Sequence, residues 1–97
     1  MSGSERCELF WDYYGPASER TATHFHHHLI EWLKRAEAAR DPLTVEHTFW
    51  PSETRVVEYD RHHFAVYCEL PRKSGEQTAR ALRAHRAYVK RGGESDH

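Results

Sequence analysis

Four of the nine histidines fall within five positions, in the stretch THFHHHLIEWLKRAE that runs from 23 to 37. On a helix, where each residue turns by 100°, His24, His28 and Glu31 lie within about 60° of one another. Two imidazoles at i, i+4 can chelate one cation, and a carboxylate one turn on is placed as a third ligand, which is the chemistry zinc asks for. Zinc is therefore the one cofactor these residues suggest. Two features weigh against a built centre. The H-E-x-x-H motif of metalloproteases is absent, because HFHHH carries no Glu between its histidines. Arg20 and Arg35 also share the face, and both repel a divalent cation. The first expectation is accordingly a wet helix face that titrates. Protonating nine histidines adds nine to a formal net charge of −1 and gives +8, within the pH range around 6.5 where imidazole titrates.

The remaining titratable groups are scattered. His26 lies at the edge of an apolar stripe and reads as a flanking residue. His62 and His63 fall in a turn. His47 and His85 occupy faces that are otherwise apolar, where a histidine is ordinarily hydrogen-bonded within the core. Cys7 and Cys68 are the only thiols, with no C-x-x-C, so they are expected to be reduced. Cys68 lies on the inward parity of a strand, where a thiol behaves as a small hydrophobe. No G-x-S-x-G elbow and no glycine-rich phosphate loop is present, and the carboxylates form no recognisable dyad. No catalytic residue is assigned, and an enzyme is not expected.

These side chains need elements to position them. RCELFWDYY (6–14) alternates, with Cys7, Leu9, Trp11 and Tyr13 on one parity, and reads as a strand. Gly15 and Pro16 end it. Ala22, Phe25, Leu29, Trp32, Leu33 and Ala36 recur at three- and four-residue spacing, which predicts a helix from about 17 to 39 with Ser18 as a candidate cap. RDP (40–42) stops it, since the residue before a proline is pushed out of helical geometry. From 43 to 70 the period is two. Strands are predicted at 43–50, 54–60 and 64–70, joined by the turns PSE and RHH into an antiparallel meander. A second helix is predicted over 75–91, with Thr78, Ala81, Leu82, His85, Tyr88 and Val89 as its apolar stripe. The order is then β-α-β-β-β-α, an α+β two-layer sandwich with a mainly antiparallel four-stranded sheet and both helices on one face. The ferredoxin-like arrangement is a near relative, but it needs a strand after the second helix, and none is predicted.

A sheet covered on one side should be polar on the other. Here the second face carries Phe10, Tyr14, Trp50 and Tyr67, with Tyr59 or Val56 joining them according to the register. Apolar patches rimmed by charge mark interfaces or ligand grooves, and aromatics are what the centres of protein interfaces prefer. The expectation is a homodimer interface, with a small-molecule groove as the other use of the same residues. The plainer alternative is an ordinary sheet surface shielded by long Arg and Glu side chains.

The second helix is basic. An α-β-β-β-α order ending in such a helix is similar, at the level of fold only, to the double-stranded-RNA-binding domain, which would imply phosphate contacts from Arg72, Lys73 and Arg80. Glu76 intervenes, and WPSET stands where that domain's loop is expected. With 14 basic against 15 acidic residues, the chain also lacks the net positive charge of nucleic-acid binders.

Ninety-seven residues suffice for one domain, read here as 1–97 with frayed ends at 1–5 and 92–97. No run of about 18 apolar residues predicts a membrane span, no secretory leader is recognised, and a cytoplasmic address is the default expectation. The reading that emerges is a small non-catalytic binding or regulatory module that forms a homodimer through an aromatic sheet face.

Overall fold

The computed structural model describes residues 5–41 and 47–91. Six elements follow in order: β1 (Glu5–Tyr14), α1 (Ser18–Ala39), β2 (Glu53–Asp60), β3 (His63–Pro71), α2 (Arg72–Leu82) and β4 (Arg86–Arg91). The four strands form one sheet in the order β2-β3-β1-β4, and every neighbouring pair is antiparallel. The architecture is the expected α+β one, with two helices against one face of a four-stranded antiparallel sheet.

The element order differs in one respect. It is β-α-β-β-α-β, not β-α-β-β-β-α, and it has the connectivity of the ferredoxin-like arrangement. The fourth strand comes after the second helix. At the predicted strand 43–50, residues 43–46 lie outside the described residues and 47–50 form no strand. The backbone there is satisfied by side chains instead of a neighbouring strand. Phe49 N–H donates to the Glu37 carboxylate at 2.7 Å, Thr48 Oγ1 donates to the same oxygen at 3.0 Å, and Trp50 N–H donates to Thr48 Oγ1 at 3.0 Å. Those bonds hold the Glu37 carboxyl below its ordinary range, the Phe49 amide contributing most. They also let Phe49 drop into the core edge-on to Trp32, with ring centroids 5.9 Å apart.

The first half of the chain follows its pattern. Gly15 adopts φ 103°, a left-handed value that favours glycine, and its N–H donates to the His62 carbonyl at 2.9 Å. This bond ties the end of β1 to the β2–β3 turn just before α1 starts. Ala17, not Ser18, takes the cap position, and no side chain caps the helix. Ser18 Oγ is buried with no hydrogen-bond partner among the described residues.

Helix α2 is shorter than predicted and starts earlier, at 72–82 instead of 75–91. Arg83 turns to φ 56°, and the Ala84 N–H closes back on the Ala79 carbonyl at 3.0 Å, a left-handed helix stop built without glycine. The Trp11 indole donates to the Leu82 carbonyl at 3.0 Å, which satisfies one of the acceptors that a helix end leaves open.

The core lies between the helices and one face of the sheet. Cys7, Leu9 and Trp11 of β1 and Phe64, Val66, Cys68 and Leu70 of β3 meet Ala22, Leu29 and Leu33 of α1. The molecule is 18 Å across its thinnest dimension. Layers stack about 10 Å apart, so this thickness holds two, and no helix among the described residues lies on the far face of the sheet. Glu5 belongs to β1, where a frayed end had been expected. The other expected frayed residues, 1–4 and 92–97, lie outside the described ones.

Candidate functional site

Side chains alternate across a strand, so the parity that buries Leu9 and Trp11 sends Arg6, Glu8, Phe10, Asp12 and Tyr14 to the open face. Pairing then fixes their neighbours. Phe10 stands opposite Tyr67 of β3 and Arg86 of β4; Tyr14 stands opposite His63, and Glu8 opposite Tyr88. Arg55 stands opposite Tyr67, so alternation along β2 carries Tyr59 to the same face, where it stacks on His63 although the β2–β3 register shifts between Glu58 and Asp60. Val56 points inward, packed against the core. The register question is settled in favour of Tyr59.

Two clusters occupy this face. One centres on Tyr67, which is only 7 % exposed. Its single phenolic proton is shared between Glu8 Oε2 at 2.8 Å and Glu69 Oε1 at 3.1 Å. Burial, then the hydrogen bond to Glu8 and the charges of both carboxylates, push its ionisation well above the usual phenol range. Lys90 Nζ balances the pair at 3.6 and 3.4 Å, and Arg6 Nε reaches Glu69 at 3.5 Å. The Arg55 guanidinium lies 5.4 Å from the Tyr67 ring centre and covers it from the β2 side.

The other cluster is built around Asp12. Arg86 donates to it twice, Nε to Oδ2 and Nη2 to Oδ1, both at 2.8 Å, and His63 Nε2 lies 2.9 Å from Oδ1. Burial alone would raise the Asp12 carboxyl, but the bonds and charges of Arg86 and His63 outweigh it and hold the group below its ordinary range. The same bonds raise Arg86 further above an already high value. Arg86 lies 4.3 Å above the Phe10 ring centre and also donates to Tyr59 Oη at 3.2 Å. His63 is sandwiched between two phenol rings, with Tyr14 at 4.3 Å and Tyr59 at 4.5 Å, both near parallel. Phe10 meets Tyr67 at 5.2 Å and Tyr88 edge-on at 5.8 Å, so the two clusters join through it.

Four of the five predicted face residues, Phe10, Tyr14, Tyr59 and Tyr67, are thus brought together. Trp50 is not among them; it is 53 % exposed in the irregular segment ahead of β2, because residues 47–50 form no strand. In the middle of the face, Arg55 lies over the Tyr67 ring and Glu8 and Glu69 accept from its hydroxyl. At the rim, Tyr14, Tyr59 and Tyr88 are 71, 48 and 49 % exposed. Sequence reasoning missed Asp12, His63, Arg86 and Tyr88. The alternation in RAYVKR (86–91) was the available signal for the last two.

The other candidates disperse. His24 and His28 do meet, Nε2 to Nε2 at 3.0 Å, but Glu31 is directed to Lys34 at 4.0 Å. Among the described residues, no three of His, Cys, Asp and Glu gather where one metal ion could be held. His26 Nε2 lies 3.1 Å from Thr54 Oγ1, and burial there lowers its affinity for a proton. His85 is not on a helix. It sits in the turn before β4, where Nδ1 accepts the Asp12 N–H at 2.7 Å. Cys7 and Cys68 are free, buried thiols, and burial pushes Cys68 up to about 12. Arg72 pairs with Glu5 at 2.6 Å and Glu76 at 3.0 Å, beside the exposed Lys73; Arg80 is exposed later in α2. The α-β-β-β-α order on which the RNA-binding comparison rested is not present.

No protein-family description, no curated protein sequence and no solved structure matches this chain.

Proposed function

We propose that this chain is a binding module, not a catalyst, and that its open sheet face pairs with the same face of a second copy. The observation that carries the reading is the aromatic surface Tyr67–Phe10–Tyr88 and Tyr14–His63–Tyr59 on a sheet face that no helix among the described residues covers. Charge selects the occupant. Glu8, Asp12 and Glu69 alternate with Arg6, Arg86 and Lys90, and each has a partner within the sheet. Such a face favours neither a polyanion nor a polycation. It suits an isologous contact, in which the same patch meets itself. A formal charge of −1 also sets up little repulsion between copies.

The area sets the size class of such a contact. Four strands about 4.8 Å apart and roughly seven residues long give a face of about 19 by 23 Å, so two copies would bury on the order of 900 Å². That is below the standard size of a specific interface, in the class of weak or transient contacts. The polar groups of the Asp12 cluster are committed to one another, so their part in this reading is to hold Tyr59, His63 and Tyr14 in one stack. No helix among the described residues is long and apolar enough to cross a membrane. A cytoplasmic setting, where both thiols stay reduced, belongs to the same proposal.

The test is sedimentation velocity across 1–200 μM, on the parent chain and on Tyr14→Ser/Tyr59→Ser/Tyr88→Ser, with circular dichroism to verify the fold. A dimer in the parent that weakens at least tenfold in the folded variant is the expected result. A parent that stays monomeric throughout removes the proposal.

A further inference from the structure

The helix layer, on the other side of the molecule, holds a pair of groups that the sheet-face reading leaves unused. His24 and His28 are one turn apart in the middle of the 22-residue α1, well away from both ends. Their Nε2 atoms are 3.0 Å apart, and the rings stand edge to face with centroids 4.5 Å apart. Both side chains are exposed. The backbone beneath them is fixed, because Ala22, Leu29 and Leu33 of the same helix are locked in the core. Two imidazoles one turn apart on a backbone held by the core are placed to converge on one ion as a bidentate ligand.

We infer that His24 and His28 bind one divalent late transition metal, copper(II) in preference to zinc, through their two Nε2 atoms, with water completing the coordination. Affinity selects the metal: among divalent first-row ions a nitrogen-donor site holds copper(II) most tightly, ahead of nickel(II) and zinc.

As the rings stand, one Nε2–H donates to the other Nε2, so binding requires that ring to carry its proton on Nδ1 instead, by exchange with solvent, and both rings then coordinate as neutral imidazoles. The flanking charges limit the strength. Arg20 lines the groove beside His24, and Glu31 is drawn off to Lys34. With two protein ligands and solvent for the rest, a Kd on the order of 10 μM, about 7 kcal/mol, is expected.

The experiment is titration of chelator-treated protein with copper(II), nickel(II) and zinc at pH 7.5, read by calorimetry and, for copper, by electron paramagnetic resonance. His24→Ala and His28→Ala should each weaken the first equivalent of copper at least tenfold, while His27→Ala should leave it unchanged. The spectrum should be axial, with nitrogen ligands that are lost in the His24→Ala/His28→Ala double variant. Circular dichroism and sedimentation of the same variants keep a folding failure separate from a lost ligand. First-equivalent copper binding that persists in the folded double variant would overturn the site. Zinc bound more tightly than copper would overturn the choice of metal.

Discussion

Asp12 and Arg86 meet through two parallel 2.8 Å hydrogen bonds that link the end of β1 to the start of β4. A carboxylate and a guanidinium in this two-pronged contact are geometrically matched, and the contact is stronger than a single neutral hydrogen bond. His63 adds a third bond from β3. One carboxylate therefore fastens three of the four strands at the same end of the sheet.

The pH dependence follows from the direction of the Asp12 shift. Its carboxyl is held below the unfolded value of about 3.9, so its stabilising effect is complete above that value and is lost as pH falls through the folded one. Asp12→Asn should lower stability at pH 7 by about 2 kcal/mol and flatten the loss of stability on acidification below about pH 4. Urea unfolding of both proteins at pH 7, 4 and 3 checks this. A gap of the same size at every pH would show that the carboxylate is not the acid-sensitive group.

Gly75 of α2 packs directly on Cys7 of β1. A Cβ at position 75 would collide with the Cys7 Cβ and come within 2.9 Å of its Sγ. Two effects of Gly75→Ala oppose each other. Helix propensity favours alanine by about 1 kcal/mol, whereas overpacking a close contact costs about 1–3 kcal/mol. The obstruction comes from a side-chain root with no freedom to swing away, so packing should win. The expected result is a net loss of about 1–2 kcal/mol in urea unfolding. A stabilised variant would mean that α2 can lift from β1 at little cost.

Arg83 holds a left-handed conformation that costs a non-glycine residue about 1–2 kcal/mol. Glycine removes that strain but adds about 0.5–1 kcal/mol of backbone entropy to the unfolded chain. Arg83→Gly should therefore raise stability by about 0.5 kcal/mol, visible as an upward shift in Tm. Arg83→Pro cannot adopt this φ and should prevent the α2–β4 turn from closing.

That residue also explains where pattern reading failed. α1 was legible because it starts after Gly15-Pro16, stops before Pro42 and keeps its apolar spacing in between. β1 and β3 were legible from strict alternation, and with them the placement of Phe10, Tyr14 and Tyr67 on one face. QTARALRAHRAYVKR carries no Gly or Pro at its true break, and its Ala, Leu and Arg all favour helix. The stop is made by Arg83 alone, so β4 was read as the rest of a helix, and Arg86 and Tyr88 went with it. In the segment LTVEHTFW the described residues, 47–50, erred the other way. The segment alternates like a strand, but Glu37 takes up the Phe49 amide that a neighbouring strand would have used. Asp12 and His63 could not be paired from spacing, because 51 residues separate them and only the β1–β3 register brings them together.

The two outer strands carry a consequence for how copies can meet. β4 is six residues long and mixes Arg86 and Lys90 with its apolar residues, and β2 carries Glu53, Arg55, Glu58 and Asp60 and ends in an irregular register. Short length, charge and broken register are the means by which sheets resist growing sideways into ribbons. The rim of this sheet is thus guarded against fibrillar extension, and the route it leaves open to a second copy is the broad side, not the margin.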